Sequence, residues 1–232
     1  LGLASLRMIE GSIRHILKRQ GADQITHKEV REYYDKYLHP DVIDFNDRNV
    51  WKNVFHKGKW AGIFQFTETG AQEFCQRAKP TSLIDLAAVT SIYRPGPLSA
   101  GVDKKFVEAK ERPTDIKYLN EDIRDVTEET YGFLIFQEQI ALLAHRLGKN
   151  LSLVEGNILR KLLTKKGTGK GHEAKDSIYK KFIEGCIDKN IQKKRAEKLW
   201  QTFEYFSGYG FNKSHAVSCL LYTSPSPRDR QK

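Results

Sequence analysis

Apolar residues at helical spacing open the chain. Leu3, Leu6, Ile9, Ile13, Ile16 and Leu17 predict an amphipathic helix over Leu3 to Arg19, which Gly21 ends. A polar, Tyr-rich stretch runs to His39-Pro40, and a second helix is expected from Asp47 to His56. Gly62 to Phe66 is short and apolar, the length of a buried strand. Ser82 and Asp85 stand three apart, a capping-box start for a helix reaching Tyr93, and Pro95-Gly96-Pro97 stops that helix. From Asn120 onward the pattern is mainly helical. Phe133 to Phe136 reads as a strand and Gln137 to Leu147 as a helix, and Ser152 with Glu155 opens another helix to about Lys165. Gly167, Gly169 and Gly171 break it, and helices follow over Glu173–Asp188 and Lys193–Phe206. No repeat is present. The expected fold class is mainly α with a few short strands.

Composition narrows the function. The 232 residues are 39% hydrophobic and 29% charged, as in a soluble globular protein, and no apolar run approaches the ~20 residues that span a bilayer. Cys75, Cys186 and Cys219 are odd in number, widely spaced and without His at ligand spacing. They predict neither a disulfide framework nor a zinc site, and suit a reducing cytoplasm. The net charge is +10, and Ala141 to Trp200 holds 15 Lys/Arg against 6 Asp/Glu. The other residues are nearly balanced, so the excess is one basic stretch. Such a surface binds nucleic acid or polyphosphate by releasing counterions, or is merely a solvated face.

Several positions carry candidate chemistry. On the helix through Ile158, the residues Ile158, Leu159, Leu162 and Leu163 share one face, so Arg160 and Lys161 are expected to project together from the other. Two fixed cations suit a triphosphate, whose leaving pyrophosphate gains charge in the transition state. Lys165 and Lys166 extend that surface. The Gly167-Thr168-Gly169-Lys170-Gly171 run that follows is not a phosphate loop: it succeeds a helix, and Thr164 and Gly171 stand where a Gly and a Ser or Thr are needed. Tyr93-Arg94, at a helix end, either presents Arg to a DNA phosphate or caps the last carbonyls. Gln137 and Gln139 either contact template DNA or brace the domain. Glu138, between them, has no partner carboxylate for acid–base work. His145 reads as a satisfied core histidine. Gly208 and Gly210 tighten the backbone around Tyr209, and Asn212 or Ser214 caps a helix that begins near Lys213 and His215. A helix N-terminus with cations beside it favours phosphate, and Tyr209 or Phe211 offers a stacking face.

Taken in order, these blocks resemble one family. Gly62-Ile63-Phe64-Gln65-Phe66, Lys79-Pro80-Thr81, Tyr93-Arg94-Pro95-Gly96-Pro97-Leu98, Thr130-Tyr131-Gly132, Gln137-Glu138-Gln139, Leu159-Arg160 and Gly208-Tyr209-Gly210-Phe211-Asn212-Lys213-Ser214-His215 occur as in family C DNA polymerases, the bacterial replicative type. The resemblance implies a helical fingers domain within a Mg²⁺-dependent polymerase. It implies nucleotide contacts from Arg160, Lys161, Tyr209, Asn212, Lys213 and His215, and DNA contacts from Tyr93, Arg94, Gln137, Gln139, Lys165 and Lys166. The family has an Arg-Arg pair where this chain has Arg160-Lys161. Implied partners are primer–template DNA, deoxynucleoside triphosphates, a sliding clamp and other replisome subunits, in the cytoplasm and without a membrane.

Leu1-Gly2-Leu3 is similar to the end of the family's Asp-Phe-Leu-Gly-Leu run. All three metal-binding aspartates are then expected upstream of this chain, leaving it without catalytic residues and inactive alone. The expected organisation is a helical segment over 1–58, the fingers over 59–218, and a tail over 219–232. Cys219 to Asp229 matches one reading frame of a transposon-end sequencing adapter, so the tail is expected to be disordered, without the family's apolar helix. The rival reading is a non-catalytic basic helical nucleic-acid-binding module.

Overall fold

The structure is a computed structural model that describes residues 2–164, 172–207 and 210–223. Helices α1 (Gly2–Arg19) and α2 (His27–Tyr37) lead into a short α3 (Arg48–Val50) that widens into a π turn over Trp51–Phe55. Then come α4 (Thr69–Ala78), α5 (Leu83–Ile92), α6 (Pro95–Ser99), α7 (Val102–Glu111) and α8 (Glu121–Thr127). The rest is α9 (Gln137–Leu147), α10 (Leu153–Thr164), α11 (His172–Asp188), α12 (Lys193–Ser207) and α13 (Lys213–Thr223). The chain is mainly α, as expected.

Two apolar cores organise these helices. The first is built around α5, which is mostly apolar and buried on all sides from Asp85 to Ile92. Phe55, Phe66, Phe74 and Phe106 pack into this core, and α13 returns from the far end of the chain to add Ala216 and Leu220. Val50, Trp51, Val54 and Phe55 belong to it too, so residues on both sides of the boundary expected near position 58 share one interior. The second core joins α8 to α12 through Ile140, Leu143, Leu159, Phe182 and Phe203. Glycines set its spacing. A Cβ on Gly156 of α10 would stand 2.4 Å from the carbonyl oxygen of Ala141, and one on Gly185 of α11 would stand 2.1 Å from that of Leu147.

The expected strands are not formed. Gly62–Phe66 is a pair of turns, with Gly62 at φ 76° and Gln65 at φ 63°. Ile63 and Phe66 are buried from those turns at 4% and 1% exposure, so the apolar spacing marks two anchors instead of an extended run. Of Phe133–Phe136, only Phe136 makes a β contact, an isolated parallel bridge to Phe211. Pro95 begins α6 at its first turn, where a missing N–H is harmless, so Pro95-Gly96-Pro97 starts a helix as well as following one. The Ser152–Glu155 capping box forms as expected, with Ser152 N–H and hydroxyl both donating to Glu155 at 2.8 Å. Helix α13 runs on past His215 to Thr223 with Leu220 fully buried, which corrects the expectation that an apolar helix is missing there. The rest of the expected tail lies outside the described residues.

Candidate functional site

The helix starts of α9 and α13 meet where Phe136 pairs with Phe211. The N–H of Gln137 donates to the Phe211 carbonyl at 2.9 Å, and that of Phe211 donates to the Ile135 carbonyl at 3.2 Å. Beside the bridge, both carboxylate oxygens of Glu138 accept the backbone N–H of Lys213, at 3.0 and 3.1 Å. Asn212 is the cap of α13: its Oδ1 accepts the N–H of His215 at 2.8 Å and the hydroxyl of Ser214 at 2.9 Å.

Arg94, Arg160 and Lys213, with the imidazole of His215, converge on this crossing from three elements. Arg160 on α10 donates from Nη1 to Gln137 Oε1 at 2.9 Å, while Gln137 Nε2 donates to the Gly210 carbonyl at 2.9 Å. One amide thus holds the Arg160 guanidinium and the Gly210 carbonyl. Lys213 Nζ pairs with Glu129 at 2.6 Å and lies 5.7 Å from the centre of the Phe136 ring. The Arg94 guanidinium lies 5.5 Å from the centre of the Phe211 ring. His215 sits between the rings of Phe64 and Phe211, at 5.7 and 5.9 Å.

The expected site residues therefore sort into groups. Arg94, Gln137, Arg160, Asn212, Lys213 and His215 come together. Lys161 is exposed while Arg160 is turned inward toward Gln137, so the two do not project as a pair. Ile158, expected on the core face of that helix, is 40% exposed. Tyr93 packs its hydroxyl end against Gly70, where an added Cβ would come within 2.2 Å of the phenol oxygen. Gln139 is a correction. It is 2% exposed, its oxygen accepts the N–H groups of Ile135 and Phe136, and its nitrogen donates to Val126 and Thr130. With that amide satisfied inside the protein, Gln139 braces the start of α9 and has nothing left for DNA. His145 bonds the Leu151 carbonyl at 2.7 Å but is exposed, not core. Tyr209, Lys165, Lys166 and the Gly167–Gly171 run lie outside the described residues.

Sequence reasoning missed the carboxylates. Glu138 and Glu129 organise Lys213 from 75 and 84 positions away, a distance at which pattern carries no information. A buried network below the site was missed as well. Asp85, 2% exposed, accepts from Thr81, from the Tyr131 hydroxyl at 2.9 Å and from Lys110 Nζ. Burial, with the Asp85 charge beside it, pushes the Tyr131 phenol well above the ordinary range. Among the described residues, no group of three His, Cys, Asp or Glu is placed to hold a metal ion, so no step through Mg²⁺ is derived from them. No described helix is long and apolar enough to cross a membrane.

Residues 19–190 match the model of the bacterial DNA polymerase III alpha subunit finger domain. The chain belongs to that family. It is 35% identical over 219 residues to the DNA polymerase III subunit alpha of Treponema pallidum (strain Nichols), covering 94% of this chain and 17% of that protein. It is 33% identical over 223 residues to that of Campylobacter jejuni, covering 96% and 17%. With that of Borreliella burgdorferi it shares 37% identity over 169 residues, 73% and 14%. The chain thus spans about one sixth of the length of these relatives. The match takes in the first core apart from Ala216 and Leu220 of α13, and the α9–α10 half of the crossing, including Arg94, Gln137 and Arg160. The alignment to the Campylobacter protein takes in most of the chain.

Proposed function

We propose that the intact protein is a replicative DNA-directed DNA polymerase, and that this finger domain contacts the incoming deoxynucleoside triphosphate and the primer–template DNA. One observation carries the reading: Arg94 before α6, Arg160 on α10, and Lys213 and His215 on α13 converge on the Phe136–Phe211 crossing. Basic side chains gathered at one place suit a triphosphate, because charge develops there; the α13 N-terminus itself is capped by Glu138 and Asn212, so the attraction comes from the side chains. Lys161 and the excess of Lys and Arg between Ala141 and Trp200 supply the longer-range attraction to DNA. Mg²⁺ would be held by carboxylates of the full-length protein outside this chain and, when bound, would polarise the reacting phosphate.

The test is Arg160→Ala in the full-length enzyme. Single-turnover incorporation should fall by about 2–4 kcal/mol of transition-state stabilisation, with primer–template affinity little changed. Normal incorporation with weakened DNA binding instead makes Arg160 a DNA contact. Loss of neither removes it from the site.

A further inference from the structure

The Gly62–Phe66 turns have a shape that the core alone does not explain. Ile63 and Phe66 anchor them, and Phe66 stacks on Trp60 with ring centres 5.0 Å apart. Between the anchors, Gln65 holds a left-handed backbone at φ 63°, a conformation costly for a residue with a side chain. The result is that Phe64 is left half-buried at the rim of the core, its ring standing edge-on to the imidazole of His215 at 5.7 Å and 87°. The Phe211 ring lies 5.9 Å from the same imidazole at 32°, itself next to the Arg94 guanidinium. The backbone of His215 is fixed by the Asn212 cap, and its ring also meets the Cys219 sulfur at 3.7 Å, so these two rings together with Cys219 govern what freedom its side chain retains.

We propose that Phe64 is a positioning residue for His215, setting the direction in which the imidazole faces the incoming nucleotide. This rests on placing His215 at the nucleotide. Edge-to-face ring contacts are directional, so an aromatic at position 64 favours one imidazole orientation where an aliphatic residue of similar volume would not. The left-handed turn at Gln65 places the ring there, which gives the backbone strain a use.

The experiment is single-nucleotide incorporation by the full-length polymerase carrying Phe64→Leu, Phe64→Tyr, His215→Ala or the Phe64→Leu/His215→Ala pair. Phe64→Leu should raise the KM for deoxynucleotide roughly three- to tenfold, the range that ring contacts support, with a smaller change in kcat. Phe64→Tyr keeps the ring and should restore the KM. In the His215→Ala background, Phe64→Leu should add nothing, since contacting residues are non-additive. An equal Phe64→Leu effect in both backgrounds, or none in either, overturns the proposal. If His215→Ala leaves KM unchanged, the reading of His215 fails first and takes this one with it. Should Phe64→Leu not fold, Phe64→Met fills the space without a ring and carries the same expectations.

Discussion

The carboxylate of Glu138 holds the backbone N–H of Lys213, so the first turn of α9 caps the first turn of α13 from 75 positions away. Both helix starts gain, because a negative charge lies against two positive dipole ends. Glu138→Ala should therefore destabilise the 232-residue chain by about 1.5–3 kcal/mol, the range for hydrogen bonds to a charged group. Urea unfolding at neutral pH checks this. A loss below about 0.5 kcal/mol would mean that the contact holds no weight.

Gly156→Ala sets two effects against each other. Helix propensity favours Ala by up to about 1 kcal/mol. The new Cβ would stand 2.4 Å from the Ala141 carbonyl oxygen, a backbone atom that cannot swing away. Overpacking of this kind costs about 1–3 kcal/mol, so a net loss of stability is expected in thermal unfolding. A gain in Tm would show that α9 and α10 separate easily.

Glu155 gives the chain an acid-sensitive element. Its pKa is pulled from the ordinary 4.5 down to about 2, first by the Lys181 hydrogen bond and then by the Ser152 N–H and hydroxyl. A carboxylate lowered on folding stabilises fully above the unfolded pKa and loses that contribution as pH falls through the folded one. The stability gap between wild type and Glu155→Gln should be constant above about pH 5 and narrow between 4.5 and 2. Denaturant midpoints across that range decide it; a constant gap rules the linkage out.

Lys110→Met tests the buried network. Removing the ammonium leaves Asp85, 2% exposed, with only neutral partners in Thr81 and Tyr131. Breaking one side of such a pair costs about 3–5 kcal/mol. Asp85→Asn added to Lys110→Met should recover part of it, and equal losses in the single and double variants would contradict the account.

What the sequence made legible follows from how each element is stabilised. The helices α1, α5 and α9 to α12 have apolar faces or caps that local spacing displays. Helix α2 buries only Val30, so it has no stripe to find, although its Thr26–Glu29 capping box was there to be read. Helix α4 follows Glu68, whose side chain makes no capping bond, and it too went unread. Gly62–Phe66 was misread because two anchors three apart in a turn look like a short strand when φ is unknown. At the site, residue types were legible but pairings were not. Arg160 was a visible cation, yet nothing local says that Gln137 would turn it inward and separate it from Lys161.

The Phe136–Phe211 bridge closes an excursion. The chain leaves the first core at Phe136, completes through α12 the second core that Ile123, Val126 and Leu134 begin, and returns at Phe211 to deliver Ala216 and Leu220. Closing a loop of that size early is entropically costly, and a collapsed second core brings its two ends near each other beforehand. The order of assembly follows: α8 to α12 should gain amide protection first, and α13 should dock last, completing the crossing where Lys213 and His215 sit. Assembly of the candidate site is then the closing step of folding.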